Sequence, residues 1–149
     1  MTTDDPSESP LPAPAGKLLC VEDDETSLAI VEVMMKRFPQ IQLTEATNGA
    51  DGIRLARAER PDLVLLDMQL PDMSGIEVLQ ALRSDAATRT LRVVAVSANA
   101  MPADMALAQQ HGAQAYWTKP LDLVRFRKDV RRLLHDECPA PASSTTGLC

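Results

Sequence analysis

The residues of this chain best suited to chemistry are carboxylic acids that follow apolar runs. Glu22, Asp23, Asp24 and Glu25 come directly after Leu18-Leu19-Cys20-Val21, and Asp67 closes the run Leu63-Val64-Leu65-Leu66. Ser97 ends a third run, Val93-Val94-Ala95-Val96, and Lys119-Pro120 follows the stretch Ala113–Thr118. Brought together, Glu22, Asp23 and Asp67 would repel one another unless a hard cation or a raised pKa relieved them. Oxygen donors without His or Cys suit magnesium. A solvated acidic loop has the same composition, so the pattern acquires meaning only if the fold makes these positions converge.

The alternation of short apolar runs with longer amphipathic ones, repeated five times, supplies that convergence. It is the pattern of βα units on a parallel sheet. Strands are predicted at Lys17–Val21, Ile41–Ala46, Asp62–Asp67, Leu91–Ser97 and Ala113–Thr118, and helices at 25–38, 50–59, 75–84, 102–111 and 121–135. Several strands are nearly continuous apolar runs, as strands covered on both faces should be. In the last helix Leu123, Phe126, Val130, Leu133 and Leu134 share one face, with Arg125, Lys128, Asp129 and Arg132 on the other. Right-handed crossovers then predict an α/β fold, an open (βα)5 doubly wound sandwich. For its five-stranded parallel sheet the flavodoxin-like order 2-1-3-4-5 is expected. Ligands of such sheets bind outside the carboxyl ends of the strands, where these polar residues fall.

Two tenants of this architecture fit poorly. A nucleotide or flavin phosphate needs a Gly- or Ser/Thr-rich turn after the first strand. Here the four acids Glu22 to Glu25 occupy that turn and would repel an anion. A phosphohydrolase of the haloacid dehalogenase type carries a second Asp two residues after its nucleophile, and Gln69 stands there instead.

The 149 residues make one domain the expectation, and 45% apolar with 24% charged residues are ordinary globular values. The net charge of -6 has the wrong sign for direct nucleic-acid binding. No apolar run is long enough to span a membrane and no secretion signal leads the chain, so a cytoplasmic protein is expected. Cys20, Cys138 and Cys149 form neither an even set nor a metal-ligand spacing, and Cys20 reads as a small core residue. Residues 1–16, with Pro6, Pro10, Pro12 and Pro14, and residues 137–149, with Pro139 and Pro141, read as disordered tails around a domain at 17–136.

Four strings of the chain resemble the receiver domain of two-component response regulators. LLCVEDDE resembles its acidic metal-binding turn, LVLLDMQLPDMSG its phosphoacceptor strand and loop, VVAVSANA its switch strand, and AYWTKP its lysine turn. The intervals 67 − 23 = 44, 97 − 67 = 30 and 119 − 67 = 52 also match those of the family. The resemblance implies that Asp67 accepts a phosphoryl group from phosphohistidine, with Mg2+ held by Asp23, Asp67 and the Gln69 carbonyl and reached by Glu22 through water. Lys119 would neutralise the transferring oxygens. Ser97 would donate its hydroxyl to the phosphoryl group, and Tyr116 would move with it as the reporter of the switch. The Lys119-Pro120 bond is often cis in this family.

The implied function is a phosphorylation switch in a two-component phosphorelay that catalyses its own transfer and dephosphorylates itself, not a turnover enzyme. Its partner would be a histidine kinase or a histidine phosphotransfer protein, with an unspecified downstream protein target. The chain would be a monomer or weak dimer without nucleic-acid or membrane contact. Alternatives are a receiver excised from a hybrid sensor histidine kinase and, further off, an aspartyl-phosphate hydrolase. In the first helix, Leu28, Val31, Met35 and Phe38 form a core stripe, and Ile30, Val33 and Met34 a second one. The second stripe is expected to be partly exposed and to receive the phosphodonor. Trp117 should face away from Tyr116. Asp24 reads as a solvated or early-helix charge, Gly75 as support for the loop backbone, and Met101 and Met105 as helix packing.

Overall fold

The computed structural model describes residues 15–99 and 101–135. The trailing residues 136–149, with Cys138 and Cys149, and the leading residues 1–14 lie outside that description. Among the described residues strands and helices alternate: β1 (Gly16–Val21), α1 (Glu25–Met35), β2 (Ile41–Ala46), α2 (Gly49–Glu59), β3 (Leu63–Asp67), α3 (Gly75–Ser84), β4 (Val93–Ser97), α4 (Pro102–Gln110), β5 (Ala115–Thr118) and α5 (Leu123–His135). All neighbours pair in parallel, in the order β2-β1-β3-β4-β5.

The period-two alternation of strand side chains divides the core into two layers. Leu18 and Cys20 of β1, Leu63 and Leu65 of β3, Val94 and Val96 of β4 and Trp117 of β5 point to α1 and α5. Leu19, Val21, Val64, Leu66, Val93, Ala95 and Tyr116 point to α2, α3 and α4. Every residue of β3 and β4 is buried, because these strands have neighbours on both edges and helices on both faces. Edge strand β2 exposes part of its length. Trp117 and Tyr116 face opposite layers, as expected, and Trp117 packs against Phe126 with ring centroids 5.5 Å apart. Among the described residues no helix is long and apolar enough to cross a membrane.

Element ends differ from expectation where local hydrogen bonds override the apolar pattern. β1 begins one residue early, at Gly16, which pairs with Ile41 and so belongs to the sheet rather than to the predicted leading tail. α1 stops at Met35, where the Lys36, Arg37 and Phe38 amides turn to the carbonyls of Val33, Met34 and Met35 three residues back, at 3.2, 3.2 and 2.9 Å; Phe38 still packs into the core. α5 starts at Leu123, because Asp122 accepts the Val124 amide at 2.9 Å and caps the helix two residues later than predicted. Leu91 lies in the turn before β4, where its amide donates to Thr88. Asp129 departs from the expected polar face of α5: it is buried, between Arg125 at 3.5 Å and Arg132 at 3.2 Å.

Candidate functional site

Three strand ends meet at one pocket. Glu22 follows β1 and continues its ladder, its amide donating to Ala46 O at 2.8 Å. Asp67 is the last residue of β3, and Lys119 continues β5, its amide donating to Ser97 O at 2.9 Å. The side chains of Glu22, Asp67 and Lys119 lie on the same side of the sheet. Lys119 Nζ stands 2.9 Å from Glu22 Oε1 and 3.5 Å from Asp67 Oδ2, so its nearer partner is the glutamate. Glu22 and Asp67 are buried and Asp23 is exposed; one carboxylate oxygen from each lies within 4.8 Å of the others. The Lys119-Pro120 peptide is cis.

The electrostatics of the pocket are those of a crowded acid cluster. Burial pushes the Glu22 carboxyl up to about 7; a hydrogen bond shared with Asp67 adds to the rise, and Lys119 opposes it. Burial alone would lower the Lys119 ammonium, but Glu22 and Asp67 outweigh it and leave the pKa raised. Asp67 Oδ1 also accepts the Gln69 amide at 2.9 Å, which turns the loop back over the carboxylate. Asp24 is the N-cap of α1 and accepts the Ser27 amide at 2.9 Å, so this charge builds the helix rather than the pocket.

Ser97 and Tyr116 lie on the opposite side, toward α3 and α4. With Met68, Gln69, Asn99 and Leu107 they line a cavity of about 180 Å³. Ser97 Oγ accepts the Asn99 amide at 3.0 Å, and the Tyr116 hydroxyl donates to Asn99 O at 2.9 Å. Asn99, outside the residues expected from the sequence, therefore joins Ser97 and Tyr116. Its position two residues past Ser97 was the available signal, because a hydroxyl at a strand end commonly bonds the amide two residues on.

The expected second stripe of α1 does not hold together. Met34 is only 4% exposed and belongs to the core, whereas Val33 is 61% exposed and Ile30 is half-buried against the core. Helix α1 packs on both β2 and α5, so a wider arc of it is covered than one stripe requires. Met101 is also corrected: at 55% exposure it packs little, while Met105 does lie against the core.

Fold and pocket together define a class: an open parallel α/β sandwich with acids and a lysine gathered at the carboxyl ends of its strands. The chain belongs to the response regulator receiver domain family, whose model it matches over residues 18–131, and is thus a receiver domain of a two-component system. It is 35% identical over 119 residues to the polar-differentiation response regulator DivK of Brucella anthropi, covering 80% of this chain and 96% of that protein. The receiver domain of a LuxO-type repressor from Vibrio parahaemolyticus superposes with a TM-score of 0.72 at 29% identity, over 80% of this chain and 90% of that one. For the fold alone, the receiver domain of a sensor histidine kinase from Pseudomonas aeruginosa gives a TM-score of 0.75 at 24% identity, over 82% and 99%.

Proposed function

We propose that Asp67 is the phosphoacceptor of a switch that takes its phosphoryl group from a phosphohistidine protein. The observation that carries the reading is the juxtaposition of buried Asp67 with Lys119 and Glu22 at the strand ends. An Asp67 oxygen attacks phosphorus, the bond to the histidine nitrogen breaks, and the imidazole leaves with its electron pair. Lys119 stands within reach of both carboxylates and neutralises phosphoryl oxygens as they arrive, exchanging its bond to Glu22 for one to the new group.

The residues fit magnesium. Their donors are oxygens only, one carboxylate oxygen each of Glu22, Asp23 and Asp67 lies within 4.8 Å of the others, and the burial and neighbouring Asp67 that raise the Glu22 carboxyl are the crowding a hard cation would relieve. Asp23, Asp67 and the Gln69 carbonyl would hold the ion, with Glu22 behind a water, and the ion would supply charge neutralisation for the incoming phosphoryl group. Ser97 offers its O–H to that group from the other side of the sheet; turning toward it carries Oγ away from the Asn99 amide and loosens the residue whose carbonyl holds the Tyr116 hydroxyl. Hydrolysis of the acyl phosphate by water resets the switch. Of the stripe on α1 expected to receive the donor, Val33 is exposed and Ile30 half-buried, so the docking surface reduces to these two.

Intact-mass measurement after incubation with acetyl phosphate and Mg2+ tests the assignment. One added phosphoryl group per chain is expected, with none in Asp67→Asn or under excess chelator. Labelling that survives either change rejects Asp67 as the acceptor, and continuous turnover of phosphate esters would favour a hydrolase.

A further inference from the structure

The loop between β3 and α3 carries a carboxylate that this chemistry leaves unused. Asp72 reaches a segment 23 positions earlier in the chain and accepts two backbone hydrogen bonds, from Gly49 N–H to Oδ1 at 2.7 Å and from Ala50 N–H to Oδ2 at 2.9 Å. Both donors are first-turn amides of α2, which have no acceptor within their own helix. The local N-cap, Asn48, is committed to the Asp51 amide at 2.8 Å. Asp72 thus caps α2 from another element, and the two amides hold its carboxyl below the ordinary range. The approach is close: a Cβ on Gly49 would lie 2.4 Å from Met73 Cγ.

The other end of the same loop is held as well. Gln69 and Ser74 form an antiparallel bridge, and the Gly75 amide donates to Met68 O at 2.9 Å. The neck of the loop is therefore closed beneath Asp67 while its tip is fastened to α2. We infer that Asp72 is a positioning residue for the metal site: by clamping the loop tip to the start of α2, it fixes the direction of the Gln69 carbonyl. The inference rests on the magnesium reading above and deepens it. The rival role is a helix cap that contributes stability alone.

The full chain, Asp72→Ala and Asn48→Ala separate the two roles, because Asn48→Ala removes the other cap of the same helix and leaves the clamp in place. Titration with Mg2+, followed by backbone amide shifts, should give a Kd raised about 10-fold in Asp72→Ala, the lower end of what groups supporting a metal ligand contribute. In Asn48→Ala the Kd should be unchanged although the unfolding midpoint falls. Asp72→Asn, which keeps one acceptor oxygen, should lie between. In the metal-free protein, hydrogen exchange at Gly75 should quicken about 10-fold in Asp72→Ala only, reporting local opening of the loop. Equal affinity losses in Asp72→Ala and Asn48→Ala, or none in either, would reduce Asp72 to a cap. Unchanged exchange at Gly75 would remove the clamp while leaving the metal reading intact. A wild-type chain without Mg2+-dependent shifts at Asp67 and Gln69 would remove the metal reading, and the inference with it.

Discussion

The connections that leave β3 and β4 start from adjacent strand ends and are built in opposite ways. After β3 the loop is bridged at its neck, clamped at its tip by Asp72, and delivered into α3 by a reciprocal capping box between Ser74 and Glu77. Four residues of α3, namely Gly75, Val78, Leu79 and Leu82, are then buried. After β4, Asn99 bonds to Ser97 and Tyr116, and α4 begins at Pro102 with Met101 as an N-cap that offers no side-chain hydrogen bond. Ala108 is the one buried residue of α4 among those described. Under the proposed phosphoryl switch, cross-bracing suits the loop that would hold the reacting atoms, and sparse anchoring suits the element that would move when those atoms change.

The largest expected effect comes from breaking the braced side. A Cβ on Gly75 would stand 2.6 Å from the backbone Cα of Met68, so Gly75→Ala must displace the strand end that carries Asp67. A loss of about 2 kcal/mol in denaturant unfolding is expected, together with weaker Mg2+ binding. A stability change without any change in Mg2+ affinity would show that the brace does not set the site.

Proton occupancy sharpens the comparison next, since the acid cluster belongs to the braced side. Glu22 rises from its ordinary 4.5 to about 7 through burial and its bond to Asp67. Glu45 rises from 4.5 to about 7 through its hydrogen bond with Glu32 and then partial burial. Raised carboxyl pKa values favour the protonated form in the folded state. Their stabilising contribution is complete below pH 4.5 and is lost as pH rises through about 7. Thermal unfolding of the metal-free chain should follow that decline. Glu22→Gln should flatten only the Glu22 part of it, and Mg2+ affinity should increase over the same interval as the proton leaves.

Strengthening the loose side should have a smaller effect. Met101 already has the extended backbone of an N-cap, φ −68° and ψ 134°, so Met101→Ser can supply the missing acceptor. A gain of about 1 kcal/mol is expected, with a reduced α4 response to phosphorylation in amide spectra. An unreduced response would break the link between weak capping and motion.

The smallest effect on stability should come from Ser97→Ala, about 0.5 kcal/mol for the lost Asn99 bond. Asp67 should still be labelled while the shift changes around Tyr116 disappear. Identical shift changes in wild type and variant would place the coupling elsewhere.

The five βα units and the positions of Glu22, Asp67, Ser97 and Lys119 at strand ends were legible in the sequence, and the strand order followed from the common fold type that such units match. Period-two alternation, breaker residues and crossover handedness are local rules or near-universal ones. What stayed hidden depends on partners far along the chain. Lys119 sits closer to Glu22 than to Asp67, by 2.9 Å against 3.5 Å, a choice set by how three strand ends converge. Asp72 reads as an ordinary loop acid until α2 is placed beside it. Met34 and Val33 are adjacent and similarly apolar, yet one is buried and the other exposed, because the packing of α1 against β2 and α5 decides how wide an arc of the helix is covered. Local periodicity specifies which residues share a face; only the neighbouring elements specify how much of that face meets water.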